Sequence, residues 1–202
     1  MPPIETAPSL LLLWAVIGYL LGSIPFGMVL ARLMGLGNLR EIGSGNIGAT
    51  NVLRTGNRTA AALTLLLDGG KGAAAVLLAR AFAAEDAAQL AGLMAFLGHC
   101  YPVWLRFAGG KGVATFLGLL LALAWPAGLA ACLTWLASAA VTRISSLSAL
   151  VAAAAAPLWL LLLGVPGAIF LALLLALVIF WRHRGNIARL MDGTEPRIGR
   201  KD

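Results

Sequence analysis

Three short polar segments hold the residues of this sequence that could do chemistry on an anion. The first is GSGNIGATNVLRTGNR, residues 43–58. Its closely spaced glycines let the backbone approach a ligand and turn N–H groups inward as an anion nest. Ser44, Asn46, Thr50 and Asn51 add neutral hydrogen-bonding groups, and Arg54 adds a rigid fork suited to phosphate. A flexible loop ending in a helix cap is the alternative reading of the same letters.

The second segment is GHCYPVWLRFAGGKGVAT, 98–115, in which Gly109, Gly110 and Gly112 flank Lys111 just before an apolar run. Glycines and a lysine at a helix N-terminus make a phosphate cradle. This is not a nucleotide-binding P-loop, because Gly112 stands where that loop needs Ser or Thr and the upstream glycine spacing is absent. The competing reading makes Lys111 a topology anchor, and His99 taken alone reads as an interfacial histidine. The third segment is WRHRGNIARLMDGTEPR, 181–197. His183, Asn186 and Arg189 recur at a spacing that puts them on one face of a helix. Arg182 and Arg184 suit lipid headgroups, while Glu195 suits a structural pairing with a cation from another segment. A fourth feature, DGGKG at 68–72, lies inside an apolar run. Unpaired charge in lipid is costly, so Asp68 and Lys71 are expected to pair. The functional alternative has Lys71 lining a polar cavity open to the cytoplasm.

The elements that must position these segments are transmembrane helices. The chain has 202 residues, of which 60% are hydrophobic and 11% charged, and its mean hydropathy is +0.91. Soluble domains carry about 25% charged residues, so this is an integral membrane protein. The net charge of +7 does not signal nucleic acid, because no basic face exists on which to lay a duplex. Cys100 and Cys132 have no disulfide or metal spacing, and the two histidines and few carboxylates are not spaced as metal ligands. No metal and no cofactor is expected. The N-terminal MPPIETAPS lacks a basic region, so the first apolar run is expected to be retained.

A span needs roughly 20 apolar residues. Runs near 9–34, 59–84, 88–107, 147–163 and 167–181 qualify. The stretch 112–142 is too long for one span and is expected to break at Trp125-Pro126. Splitting it gives seven spans and puts all but Lys71 and Arg80 of the 15 Lys and Arg on one side, as the positive-inside rule requires. The expected fold is therefore all-α with seven transmembrane helices, some short or broken. The N-terminus lies outside, the C-terminus is cytoplasmic, and residues 1–202 form a single domain with no soluble module or internal repeat. All three polar segments then face the cytoplasm.

Taken together and in this order, the segments carry a resemblance. GSGNIGATNVLR at 43–54, DGGKG at 68–72, GHCYP with GGKGVAT at 98–115, and RHRGNIARLMDGTE at 182–195 resemble the acyl-phosphate:glycerol-3-phosphate acyltransferase family of bacterial membrane enzymes. One departure is Ala108, where the family often has a second lysine before GGKG. The resemblance implies transfer of a long-chain acyl group from acyl phosphate to the 1-hydroxyl of glycerol 3-phosphate. The products would be 1-acylglycerol 3-phosphate (lysophosphatidate) and phosphate, in phospholipid synthesis at the inner membrane among membrane lipids. It also implies catalytic roles for Ser44, Arg54, Lys111, His183 and Asn186. Asn46, Thr50, Asn51, Lys71, His99, Gly109, Gly110 and Gly112 join them as substrate-binding candidates. The His-x4-Asp signature of CoA-dependent acyltransferases is absent: after the four residues that follow His99 and His183 stand Trp104 and Ala188.

Two other classes compete, a transporter of a phosphorylated metabolite and a lipid-binding scaffold without chemistry. A transporter needs polar groups reachable from both faces, yet the external loops hold only Glu5, Glu85, Asp86 and a few glycines and prolines. An enzyme acting at one face fits the sidedness better.

Overall fold

The computed structural model describes residues 2–199, and every described element is helical. Among the described residues, four helical stretches are long and apolar enough to cross a bilayer, 8–33, 58–82, 125–142 and 145–162. A fifth candidate is the pair 166–182 and 184–191, which bends by 62°. The chain divides into two compact units, 2–123 and 124–199.

In the first unit, helix α1 (Pro8–Gly22) begins with proline at its first position, where the missing N–H costs nothing. It stops at Ser23, because Pro25 removes a donor and pushes Ile24 out of helical geometry. Helix α2 (Phe26–Leu33) follows at once. The break frees carbonyls inside an apolar layer, where each needs a partner. Trp104 Nε1 donates to the Ser23 carbonyl at 2.8 Å, and Lys71 Nζ donates to the Ile24 carbonyl at 2.8 Å. The sequence reading had one unbroken run here.

A short helix α3 (Ala49–Leu53) leads to α4 (Arg58–Phe82), whose N-cap Asn57 accepts from the Ala60 N–H. Next come α5 (Glu85–Cys100), with two acidic residues in its first turn, and α6 (Val113–Leu123). Small residues bring these helices together, as is usual where lipid provides no hydrophobic drive between helices. A β-carbon at Gly22 would stand 1.9 Å from the Ala95 carbonyl of α5, and one at Gly118 would stand 2.1 Å from the Gly69 carbonyl of α4. Alanine dominates the buried faces while Leu12, Leu66, Leu77 and other large apolar side chains point outward, the pattern of a lipid-facing bundle. Helix α5 ends at Cys100 rather than continuing to 107, because Pro102 follows and Val103–Leu105 form a 3-10 turn.

The second unit contains α7 (Trp125–Thr142), α8 (Ser145–Leu162), α9 (Ile169–Arg182) and α10 (Arg184–Met191). The expected break in 112–142 falls between Leu123 and Trp125, with Pro126 in the first turn of α7. Arg143 takes a left-handed conformation to cap α7, and Trp159 Nε1 ties α8 to Thr134 of α7 at 3.0 Å.

Candidate active site

Loop 43–54 is built around one side chain. Asn51, on α3, is 2% exposed. Its Oδ1 accepts from the Ser44 N–H at 3.0 Å, the Ser44 hydroxyl at 3.3 Å and the Arg54 guanidinium at 3.5 Å. Its Nδ2 donates to the carbonyls of Leu39 at 3.0 Å and Asn46 at 2.7 Å. Sequence reasoning put Asn51 among the substrate-binding groups. In the folded chain the amide is engaged at both ends and organises the loop, and what it holds in place are Ser44 and Arg54. Both of these are exposed, as is Thr50. Gly43 has φ +51°, and a β-carbon there would lie 2.5 Å from Arg54 Cδ. Only glycine lets the arginine lie across the turn. Asn46 is half-buried, its carbonyl on Asn51.

The glycine-lysine loop folds back on the end of α5. Gly109 N–H donates to the Cys100 carbonyl at 3.2 Å and Gly110 N–H to the His99 carbonyl at 3.0 Å. A β-carbon at Gly109 would stand 2.2 Å from the His99 carbonyl, and one at Gly112 would stand 2.2 Å from the Phe96 ring. The close backbone approach expected from these glycines is therefore made to α5. Their amides at 109 and 110 bind carbonyls of the chain. Lys111 is half-buried two residues before α6 begins, close to first-turn N–H groups that have no intrahelical partner.

Arg40, which the sequence reading passed over, ties the two loops together. It donates to the Gly45 carbonyl at 3.3 Å and also to the Ala108 carbonyl. A cation thus reaches the loop at Ala108, where the resembling family often carries a lysine. The signal that could have found it was that departure.

Behind the loops lies a buried charged group. Lys71 Nζ stands 2.7 Å from Asp68 Oδ1, and both side chains are 3% exposed. The ammonium also sits 5.7 Å from the centre of the Phe26 ring. Lys71 thus makes the expected pair with Asp68 and also meets the α1–α2 break through the Ile24 carbonyl. His99, another substrate-binding candidate, is buried with Nδ1 3.6 Å from Asp68 Oδ1. Removing one partner of a buried ion pair costs about 3–5 kcal/mol. Asp68→Ala should accordingly lower the yield of folded protein in detergent. Normal yield with abolished turnover would transfer Asp68 to the chemistry.

In the second unit, His183 sits at the bend between α9 and α10, just before the first residue of α10, so the three-residue spacing does not run along one straight helix. Its Nδ1 lies 2.8 Å from the Ile179 carbonyl, and this contact fixes the ring. Asn186, 5% exposed, donates through Nδ2 to Glu195 Oε1. Ser146 Oγ donates to the same oxygen and Arg189 Nε to Oε2, each at 2.7 Å. Glu195 was expected to pair with a cation from another segment. Its cation is Arg189 of its own segment, and Ser146 of α8 is the distant contact.

Burial raises the Glu195 carboxyl, but the hydrogen bonds from Ser146, Asn186 and Arg189, with the charge of Arg189, outweigh it and hold it below the usual carboxylate range. A depressed folded value means stability that is present above the unfolded value of 4.5 and lost as pH falls through the folded one. Acidification below about pH 4.5 should thus lower the protection against hydrogen exchange of the Ile198 amide, which donates to the Arg143 carbonyl. Glu195→Gln should show fast exchange already at neutral pH. Protection in the wild type that does not change with pH would remove Glu195 as the clasp.

The sequence profile of the family described as "Glycerol-3-phosphate acyltransferase" matches residues 12–193. The chain is 72% identical over 198 residues to the glycerol-3-phosphate acyltransferase of Roseobacter denitrificans, covering 98% of this chain and 99% of that one. It is 75% identical over 201 residues to that of Ruegeria sp. (strain TM1040), with both chains fully covered. Among solved structures it is similar to PlsY (YgiH), an integral membrane glycerol 3-phosphate acyltransferase. Against the glycerol 3-phosphate form the TM-score is 0.88 at 41% identity, covering 94% of this chain and 96% of that chain. Against the lysophosphatidic acid form it is 0.85 at 39% identity, covering 94% and 95%.

Proposed function

Because the chain belongs to the glycerol-3-phosphate acyltransferase family, we propose that it acylates the 1-hydroxyl of glycerol 3-phosphate with a long-chain acyl phosphate as donor, releasing lysophosphatidate and phosphate. The observation that carries this reading is the paired loops: Asn51 fixes Arg54 at one, Lys111 stands just before α6 at the other, and Arg40 joins them. Two cations on adjoining loops suit a reaction in which both substrates bear a phosphate.

The chemistry asks little more of the protein. Acyl phosphate is a mixed anhydride, so no covalent enzyme nucleophile is needed, and no Ser-His-Asp or Cys-His pattern supplies one. The glycerol oxygen attacks the acyl carbon, the bond from that carbon to the phosphate oxygen breaks, and phosphate leaves with the electron pair. The hydroxyl proton passes to a substrate phosphate. Arg54 and Lys111 hold phosphates, Ser44 and Asn46 orient reacting groups, and Thr50 lends its hydroxyl to binding. His183 and Asn186, held in the second unit by Ile179 and Glu195, bind and orient. Residues 1–202 act as one acyltransferase domain. It lies in the bacterial inner membrane with seven spans, N-terminus outside and C-terminus cytoplasmic, so the loops meet water-soluble glycerol 3-phosphate while the acyl chain stays among lipids.

Purified protein in detergent, given palmitoyl phosphate and glycerol 3-phosphate, should release one phosphate per lysophosphatidate formed. Palmitoyl-CoA should give no product. Turnover with the thioester alone would overturn the donor assignment, and binding without product would favour a transporter or scaffold.

A further inference from the structure

One buried side chain touches both the ion pair and the glycine-lysine loop, and no step of the reaction calls for it. His99 stands in the last turn of α5, 5% exposed. Its Nδ1 lies 3.6 Å from Asp68 Oδ1 on α4. The far edge of the ring faces Gly110, where a β-carbon would stand 2.1 Å from Nε2 and 2.9 Å from Cε1. The carbonyl of the same residue accepts the Gly110 N–H at 3.0 Å. His99 therefore meets the loop twice, once by backbone and once by ring.

We infer that His99 is a positioning residue: its ring, oriented by Asp68, sets the height of Gly110 and through it the place of Lys111. This rests on the reading of Lys111 as a phosphate clamp. The orienting carboxylate is itself held. Lys71 stands 2.7 Å from the same Asp68 oxygen and donates to the Ile24 carbonyl at the α1–α2 break. A line of contacts thus runs from the broken first span, through α4, to the loop that opens α6. A planar ring wedged between a carboxylate and a glycine backbone defines one loop position, since turning it loses the carboxylate and advancing it meets the glycine. Lateral error of an ångström at a binding group is worth about a hundredfold in rate, so the wedge has consequences without touching substrate.

Were His99 instead a substrate ligand, its replacement and that of Gly110 would act separately. A double-mutant cycle distinguishes the two. His99→Ala should raise the KM of the substrate whose phosphate Lys111 holds by about tenfold, with a smaller change in kcat. Gly110→Ala should lower kcat/KM by about a hundredfold, because its methyl has no room beside the ring. The double variant should regain about tenfold over Gly110→Ala alone, because alanine at 99 makes that room. In parallel, His99→Ala should speed hydrogen exchange of the Gly109 and Gly110 amides about tenfold while amides in the middle of α1 stay unchanged. Losses that simply multiply, or exchange that does not change, would overturn the inference. Wild-type protein inactive on acyl phosphate would sink the proposed reaction, whereas the exchange experiment would still decide the role of His99.

Discussion

Replacing Lys111 with alanine leaves a folded membrane protein whose acyl transfer falls about a thousandfold, the scale of losing a preorganised charge at a reacting phosphate or oxyanion. The fold should survive because the loop's shape comes from its backbone. Gly109 and Gly110 close it onto α5 through the carbonyls of Cys100 and His99, and none of those bonds uses an ammonium. The catalytic loss follows from position. Lys111 stands just before α6, whose first amides also favour an anion, so lysine and helix end act together. Lys111→Arg should recover only part of the rate, since a planar fork replaces a compact ammonium in a half-buried place. Steady-state kinetics with palmitoyl phosphate, read beside the melting temperature in detergent, checks both halves. Near-normal turnover would remove the clamp.

Asn51→Ala should damage stability and catalysis together. The substitution strips partners from the carbonyls of Leu39 and Asn46 and from the Ser44 N–H. A buried polar group left without its bond costs about 1–3 kcal/mol. Ser44 and Arg54 also lose their common anchor, and misplacement of that order lowers kcat about a hundredfold. Ser44→Ala provides the contrast: it removes one exposed hydroxyl, so activity falls while melting is unchanged. If Asn51→Ala melted like the wild type and changed only a KM, Asn51 would return to the substrate-binding set.

The membrane class, the polar loops and the break before Trp125 were legible in the sequence, because each follows from composition, charge placement or a proline. The break at Ser23 to Pro25 was masked by continuous hydropathy, although Ile24-Pro25 stood in view. Val103-Trp104-Leu105 likewise read as span, since an apolar 3-10 turn and an apolar helix have the same letters. The candidate site was legible by residue type and much less by direction. A sequence shows that Asn51 and the amides of Gly109 and Gly110 can hydrogen bond, but whether they face a ligand or the chain depends on folded geometry. The contacts that matter most here join distant positions, Arg40 with Ala108 and Ser146 with Glu195, and no local spacing announces them. Asp68 and Lys71 were the easy case: i, i+3 on one helix is a contact that periodicity alone predicts.

The central claim is that Arg54 and Lys111 grip substrate phosphates. Its most direct test is acceptor discrimination, the ratio of kcat/KM for glycerol 3-phosphate to that for glycerol, measured with palmitoyl phosphate in the wild type, Arg54→Ala and Lys111→Ala. The ratio should collapse by about a hundredfold in the variant that has lost the acceptor's clamp, and the other variant should instead raise the KM of the donor. Both variants keeping the wild-type ratio and the wild-type donor KM would contradict the claim.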